Sequence, residues 1–233
     1  MKLLLCSEGF YTEEEIAKTE ELVGKPRAEI GIAIINEAYA VEKGGHRWVI
    51  ETLAKVGNIF GGHIELVNLL ALDLSEVKQR IELCDVIFVV GGHTDYLMYV
   101  FQKSGFDRLL PDLLRTKVYV GSSAGSMVAA RRMSTKAYEM VYGEEGDYGV
   151  THYFNFVDFA LKPHFGSPLF KARTKEQLLE ASKGYVGTVY GLDDNTAMVI
   201  EDDKVHPIGG KPIKIVDGEL SEDDDILLRT RAL

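Results

Sequence analysis

Lys117-Val118-Tyr119-Val120-Gly121-Ser122-Ser123-Ala124-Gly125-Ser126 decides how this 233-residue chain is read. The first four residues have strand character, and Met127–Arg132 just beyond has helical character. Between them lies Gly-x-Ser-x-Gly, which in a strand–turn–helix setting is the arrangement of a nucleophile elbow. Gly121 and Gly125 permit a tight turn, with Ser123 on its strained corner and the hydroxyl exposed. The following helix aims its N-terminal N–H groups and dipole at the same spot, so Ala124 N–H is a candidate oxyanion donor. Ser122 and Ser126 lack the central position between the glycines. The same turn can also bind phosphate or simply reverse the chain, so the motif needs support from elsewhere.

Upstream, strand-like runs recur at Lys2–Cys6, Glu29–Ile35, His63–Leu69 and Asp85–Val90. Ile32-Ala33-Ile34-Ile35 and Val86-Ile87-Phe88-Val89-Val90 do not alternate polar with apolar, which predicts strands buried on both faces of a parallel sheet. Helix starts lie between them. Thr12 with Glu15, Asp73 with Glu76, and Thr174 with Gln177 have capping-box spacing, and Trp48, Val49, Thr52, Leu53 and Val56 mark one helical face. Alternating strands and helices predict an α/β fold, a doubly wound and mostly parallel sheet flanked by helices. Val189–Leu192, Ala197–Glu201, Val205–Ile208 and Ile213–Val216 are short strands with turn signals at Asp202-Asp203 and Asp217-Gly218, read as a small antiparallel C-terminal extension. No linker or repeat breaks the chain, so residues 1–233 are expected to form one domain.

A serine nucleophile needs a base, and histidine is the usual one. Of the six histidines, His164 ends an apolar run in Leu161-Lys162-Pro163-His164-Phe165-Gly166, well placed to reach a sheet-edge site. His152 is its local rival, while His46 and His63 fall in or beside the early helical region. An orienting carboxylate is available in Gly191-Leu192-Asp193-Asp194-Asn195-Thr196, although this is also ordinary turn chemistry. The order Ser, His, Asp disfavours the α/β-hydrolases, which run Ser, acid, His. A second glycine turn, Val89-Val90-Gly91-Gly92-His93-Thr94, also follows a buried strand. Two such turns side by side would pair free backbone N–H groups as an oxyanion hole requires.

Taken in order, the blocks around Gly91-Gly92, Ser123, His164 and Asp193-Asp194 resemble the peptidase E family of aspartyl dipeptidases, with cyanophycinase as a more distant relative. The resemblance spans roughly residues 2–200. It implies a fold like that of class I glutamine amidotransferase domains, with serine replacing the cysteine nucleophile and no cofactor or metal. It further implies cleavage of small peptides, notably dipeptides with N-terminal aspartate. By matching positions, Ser123 would be the nucleophile, His164 the base and Asp194 the acid, with the N–H groups of Gly92 and Ala124 as the oxyanion hole. Asp194 stands where the family tends to have Glu, one methylene longer, so either the backbone adjusts or Asp193 takes the role. Val90 replaces a glycine and His93 an asparagine, which makes His93 a conceivable substrate contact. An aspartate-binding cation is expected at Arg173 or Lys175, with Arg131 and Arg132 as alternatives.

Composition narrows the partners. Lys+Arg 26 against Asp+Glu 36 gives a net charge of −10, without the basic excess of a nucleic-acid binder. No apolar run approaches the ~20 residues of a membrane span, and the apolar start is too short for a signal peptide, so a cytoplasmic protein is expected, as a monomer or homodimer. Cys6 and Cys84 form no Cys-x-x-Cys motif and sit outside any glycine elbow, which argues against a cysteine amidotransferase and for core positions. The rival expectations are a non-catalytic amidotransferase-like binding module and a cyanophycinase-type amidohydrolase. Residues Gly143–Gly149 are expected to form either a flap or a plain surface loop.

Overall fold

The computed structural model describes residues 1–170, 174–202 and 204–223. In chain order the first half contains β1 (Lys2–Cys6), α1 (Glu13–Val23), β2 (Ile32–Ile35), α2 (Arg47–Ile59), β3 (Ile64–Leu66), α3 (Leu74–Glu82), β4 (Val86–Val89), α4 (Thr94–Ser104) and α5 (Phe106–Leu113). The second half contains β5 (Val118–Ser122), α6 (Ala124–Ala129), α7 (Thr135–Tyr142), β6 (Phe159–Lys162), α8 (Lys175–Ala181), β7 (Thr188–Gly191), β8 (Ala197–Glu201), β9 (Lys204–Ile208), β10 (Ile213–Val216) and β11 (Glu219–Ser221).

The central sheet has the order β3-β2-β4-β5-β1-β8-β9. Its strands from β3 to β1 run parallel, as the unbroken apolar runs predict, and β8 and β9 continue it antiparallel. Period-two alternation divides each buried strand between two cores. Leu3, Leu5, Ile87, Val89 and Tyr119 face one side with Leu97, Phe101 and Val128. Leu4, Cys6, Ile34, Phe88 and Val120 face the other with Ile16, Leu22 and Val56. Burying both faces in this way is what a strand without polar alternation requires. Cys6 and Cys84 are both free and buried.

Two of the three pairs with capping-box spacing close the box, and the third makes half of it. Thr12 and Glu15 close a capping box on α1, Thr174 and Gln177 close one on α8, and Asp73 accepts from Glu76 N–H on α3.

The strands of the last third do not make one extension. β8 and β9 join the central sheet, whereas β7, β10 and β11 build a second sheet, β11-β10-β7-β6, in which β6 and β7 are parallel. Apolar periodicity specifies which face a strand buries but not which neighbour it pairs with. Among the described residues no helix is long and apolar enough to cross a membrane.

Candidate active site

The C-terminal edges of β1, β4 and β5 open into a cavity of about 790 Å³, within the ordinary size range of small-molecule sites. Glu8 lines it beyond β1, Gly91 and Gly92 beyond β4, Ser123 beyond β5, and His164 beyond β6 of the second sheet.

Ser123 has φ 50° and ψ −114°, a sparsely populated conformation for a non-glycine residue and the strain expected of an elbow. Its own N–H donates to the carbonyls of Cys6 (3.2 Å) and Ser7 (2.9 Å), so β1 holds the corner in place. The flanking glycine is needed for space: a Cβ on Gly125 would lie 2.1 Å from the Val89 carbonyl oxygen. α6 therefore packs directly onto the end of β4. Tyr119 OH donates to Gly125 O at 2.6 Å and Ser126 Oγ to Cys6 O at 2.6 Å, fixing the start of that helix from below. Ala124 is its first residue, so its N–H has no intrahelical acceptor. In the β4 turn, Gly92 has φ 131°, and a Cβ there would lie 2.4 Å from the Ala38 carbonyl carbon. Only glycine fits that approach.

His164 is buried, and its backbone also sits in the left-handed region at φ 58°. Its Nδ1 lies 2.7 Å from Asp194 Oδ1 and 3.4 Å from Glu8 Oε2. The ring stacks on Phe170 at 4.5 Å between centroids. The bond from His164 holds the Asp194 carboxyl below the usual carboxylate range, against the opposing effect of burial. The shorter aspartate reaches the ring because the two loops are sewn together: Leu192 N–H donates to Lys162 O (2.9 Å) and Phe165 N–H to Leu192 O (2.8 Å). Asp193, the alternative acid, instead accepts from Asn195 N–H (3.0 Å) and the Thr196 hydroxyl (2.8 Å) in its own turn.

Ser7 had no signal in the sequence, yet it links Ser123, His164 and the Leu192 turn. Its carbonyl accepts from Ser123 N–H, its hydroxyl accepts from His164 N–H at 2.7 Å, and that hydroxyl lies 3.4 Å from Leu192 O. Lys162 was also missed: it is 1% exposed, its Nζ has no hydrogen-bond partner, and burial brings it down to about 8.

Among the described residues, none of the expected substrate cations lines the cavity. Arg131 pairs with Asp158 at 3.0 Å, and Arg132 grips Asp95 through two bonds of 3.1 and 2.6 Å. Lys175 begins α8 and does not line the cavity, and Arg173 lies outside the described residues. His93 does line the cavity, but its nitrogens are engaged in the fold: Nδ1 accepts from Tyr96 N–H (3.3 Å) and Nε2 lies 3.0 Å from Glu145 O. His152, the rival base, contacts the neighbouring Thr151 hydroxyl at 3.2 Å and does not line the cavity. Glu8, His164 and Asp194 are the metal-ligand trio among the described residues, their donor atoms lying within 4.8 Å of one another. A metal there would have to displace the His164–Asp194 bond.

A strained serine at the end of a parallel strand, sharing a cavity with a histidine already bonded to a carboxylate, is the layout of a serine-type hydrolase. Residues 3–208 match the family model for peptidase family S51, and the chain belongs to that family of serine-type peptidases. It is 27% identical over 214 residues to Peptidase E of a Nostoc species, covering 88% of this chain and 81% of that one. It is 30% identical over 146 residues to a Drosophila melanogaster protein named Probable alpha-aspartyl dipeptidase, covering 59% of each chain. A crystal structure of a candidate peptidase E protein from Listeria monocytogenes EGD-e superposes with a TM-score of 0.69 at 22% identity, covering 88% of this chain and 96% of that one, and so shares its fold.

Proposed function

We propose that the chain is a serine dipeptidase using Ser123, His164 and Asp194, with preference for an N-terminal aspartate. The observation that carries the reading is that His164, bonded through Nδ1 to Asp194, lines the same cavity as the strained Ser123. With Nδ1 held by the carboxylate, Nε2 is the nitrogen that exchanges protons with substrate and nucleophile.

In the first step His164 accepts the Ser123 hydroxyl proton as Oγ bonds to the scissile carbonyl carbon. The carbonyl electron pair moves onto oxygen, where the N–H groups of Gly92 and Ala124 and the α6 dipole stabilise it. His164 then gives the proton to the leaving amine as the C–N bond breaks, leaving an acyl-enzyme. Water, deprotonated by His164, releases the acid and restores the hydroxyl. Asp194 stays ionised throughout, which its lowered carboxyl favours.

Support for the aspartate preference comes from the name of the Drosophila relative. A panel of Asp-X, Glu-X, Ala-X and Lys-X dipeptides with wild type and Ser123→Ala tests both parts. Asp-X should be cleaved fastest and Ser123→Ala should lose several powers of ten in kcat. Equal rates across the panel would remove the aspartate preference, and an active Ser123→Ala would remove the nucleophile. A fluorophosphonate should label wild type and leave Ser123→Ala unlabelled.

A further inference from the structure

The Gly143–Gly149 segment lies against the cavity, with Gly143, Glu144, Glu145 and Gly146 lining it. Glu144 is the member whose chemistry is unaccounted for. Its side chain is only 10% exposed. One carboxylate oxygen, Oε1, accepts from both the N–H (3.0 Å) and the hydroxyl (2.6 Å) of Thr94, two residues beyond Gly92. The other, Oε2, is buried without a hydrogen-bond partner. The His93 ring comes within 3.5 Å of it, but through Nδ1, which accepts from Tyr96 N–H and so has no proton to give. With Glu144 ionised, two acceptors thus face each other at the wall of a binding cavity, a cost the fold carries unless the carboxylate takes up a proton or a donor arrives from outside.

The rest of the lining indicates the sign of that donor. Glu8, Glu42 and Glu145 add further carboxylates, and among the described residues the one Lys or Arg in the wall is Lys43, 2.9 Å from Glu145. Burial pushes the Glu144 carboxyl up to about 7, with nearby Asp95 and Glu42 adding to it and the Thr94 bonds opposing. An arriving cation would offset all of these effects at once.

We infer that Glu144 is the anchor for the α-ammonium group of the substrate's N-terminal residue, an assignment resting on the peptidase reading of the same cavity. In a dipeptide that ammonium is carried on the carbon next to the scissile carbonyl. It must therefore lie beside the oxyanion turn, where Thr94 holds Glu144. One of its three N–H groups reaches Oε2, and its charge meets the acidic wall. An acylated N-terminus keeps a single N–H and brings no charge. The site thereby selects free amino termini and confines the enzyme to exopeptidase cleavage.

The test separates binding from turnover by using Ser123→Ala protein and calorimetry. Ala-Ala is compared with propionyl-alanine, which lacks only the amino group, and with 6-aminohexanoyl-alanine, which moves the ammonium to the end of a chain. Ala-Ala should bind at least tenfold more tightly than either, and adding Glu144→Gln should erase that margin. Glutamine is nearly isosteric, keeps an oxygen for Thr94 and turns an N–H towards His93 Nδ1, so the fold should survive. Equal binding of Ala-Ala and propionyl-alanine overturns the assignment without any mutant. A margin that persists in Glu144→Gln overturns it too, as does equally tight binding of the 6-aminohexanoyl compound. Failure of the peptidase reading would show separately, as wild-type protein that cleaves no dipeptide and takes up no fluorophosphonate.

Discussion

Replacing Asp194 by asparagine tests the site at its most specific contact. The amide has the carboxylate's shape, so packing around His164 is kept, while the 2.7 Å bond to Nδ1 loses its charge. A hydrogen bond to a charged group contributes about 1.5–3 kcal/mol, a factor of roughly 10–150 in rate if all of it acts in the transition state. Where the amide N–H₂ turns to Nδ1 and fixes the wrong tautomer, the loss in serine proteases reaches about 10⁴. Here a second carboxylate moderates the effect, because Glu8 Oε2 stands 3.4 Å from the same nitrogen. We therefore expect kcat to fall about 10²–10³-fold in Asp194→Asn and about 10⁴-fold when Glu8→Gln is added. Asp194 does not line the cavity, so KM should change little. The assay is steady-state dipeptide cleavage, with active sites counted by fluorophosphonate labelling. An Asp194→Asn enzyme retaining a third of its kcat would refute the orienting role. A double variant no slower than the single one would refute the Glu8 fallback.

Three further outcomes follow from the geometry. Gly125→Ala places a methyl 2.1 Å from Val89 O; overpacking of this kind costs about 1–3 kcal/mol, so Tm should drop by several degrees in a thermal melt, and an unchanged Tm would contradict the close approach. Ser7→Ala removes the hydroxyl that accepts from His164 N–H in a buried place, and kcat should fall about 10–100-fold, more than KM changes, in line with about 1–3 kcal/mol for an orphaned donor; unaltered kcat argues against its positioning role. Glu144→Gln should stabilise the protein at pH 8 but not at pH 4. The folded carboxyl titrates at about 7 against a reference of 4.5, so the native state holds the extra proton between those values and stability falls as pH rises through that window. At 1.36 kcal/mol per pH unit this amounts to about 3 kcal/mol above pH 7, and parallel melts at the two pH values would expose a wrong sign.

Much of this layout could be read from the residues. Unbroken apolar runs announced the parallel strands, and the Ser123 elbow announced itself because two glycines and a strand leave few other conformations. Lys162-Pro163-His164 follows the apolar run that forms β6, and it is from the end of this strand that His164 reaches the cavity. The division of the late strands between two sheets was not foreseen, although the patterns differ: β8 is an unbroken apolar run buried like the central strands, whereas β10 alternates Ile213, Lys214 and Ile215 and is only partly buried. Ser7 and Glu144 were hidden from the sequence. Their importance lies in contacts with residues more than 45 positions away, Ser7 with His164 and Glu144 with Thr94, and no local pattern records such a meeting. Arg131 and Arg132, the alternative substrate cations, are held by Asp158 and Asp95, partners that no local pattern marks.

Ser123, the proposed nucleophile, follows β5 of the central sheet, whereas His164 follows β6 and Asp194 follows β7 of the other sheet. On the proposed mechanism, a chain synthesised only as far as α6 carries the Ser123 alcohol without the imidazole that would take its proton. The proposed triad is complete only once both sheets are in place, so a refolding experiment should see helicity return before turnover does.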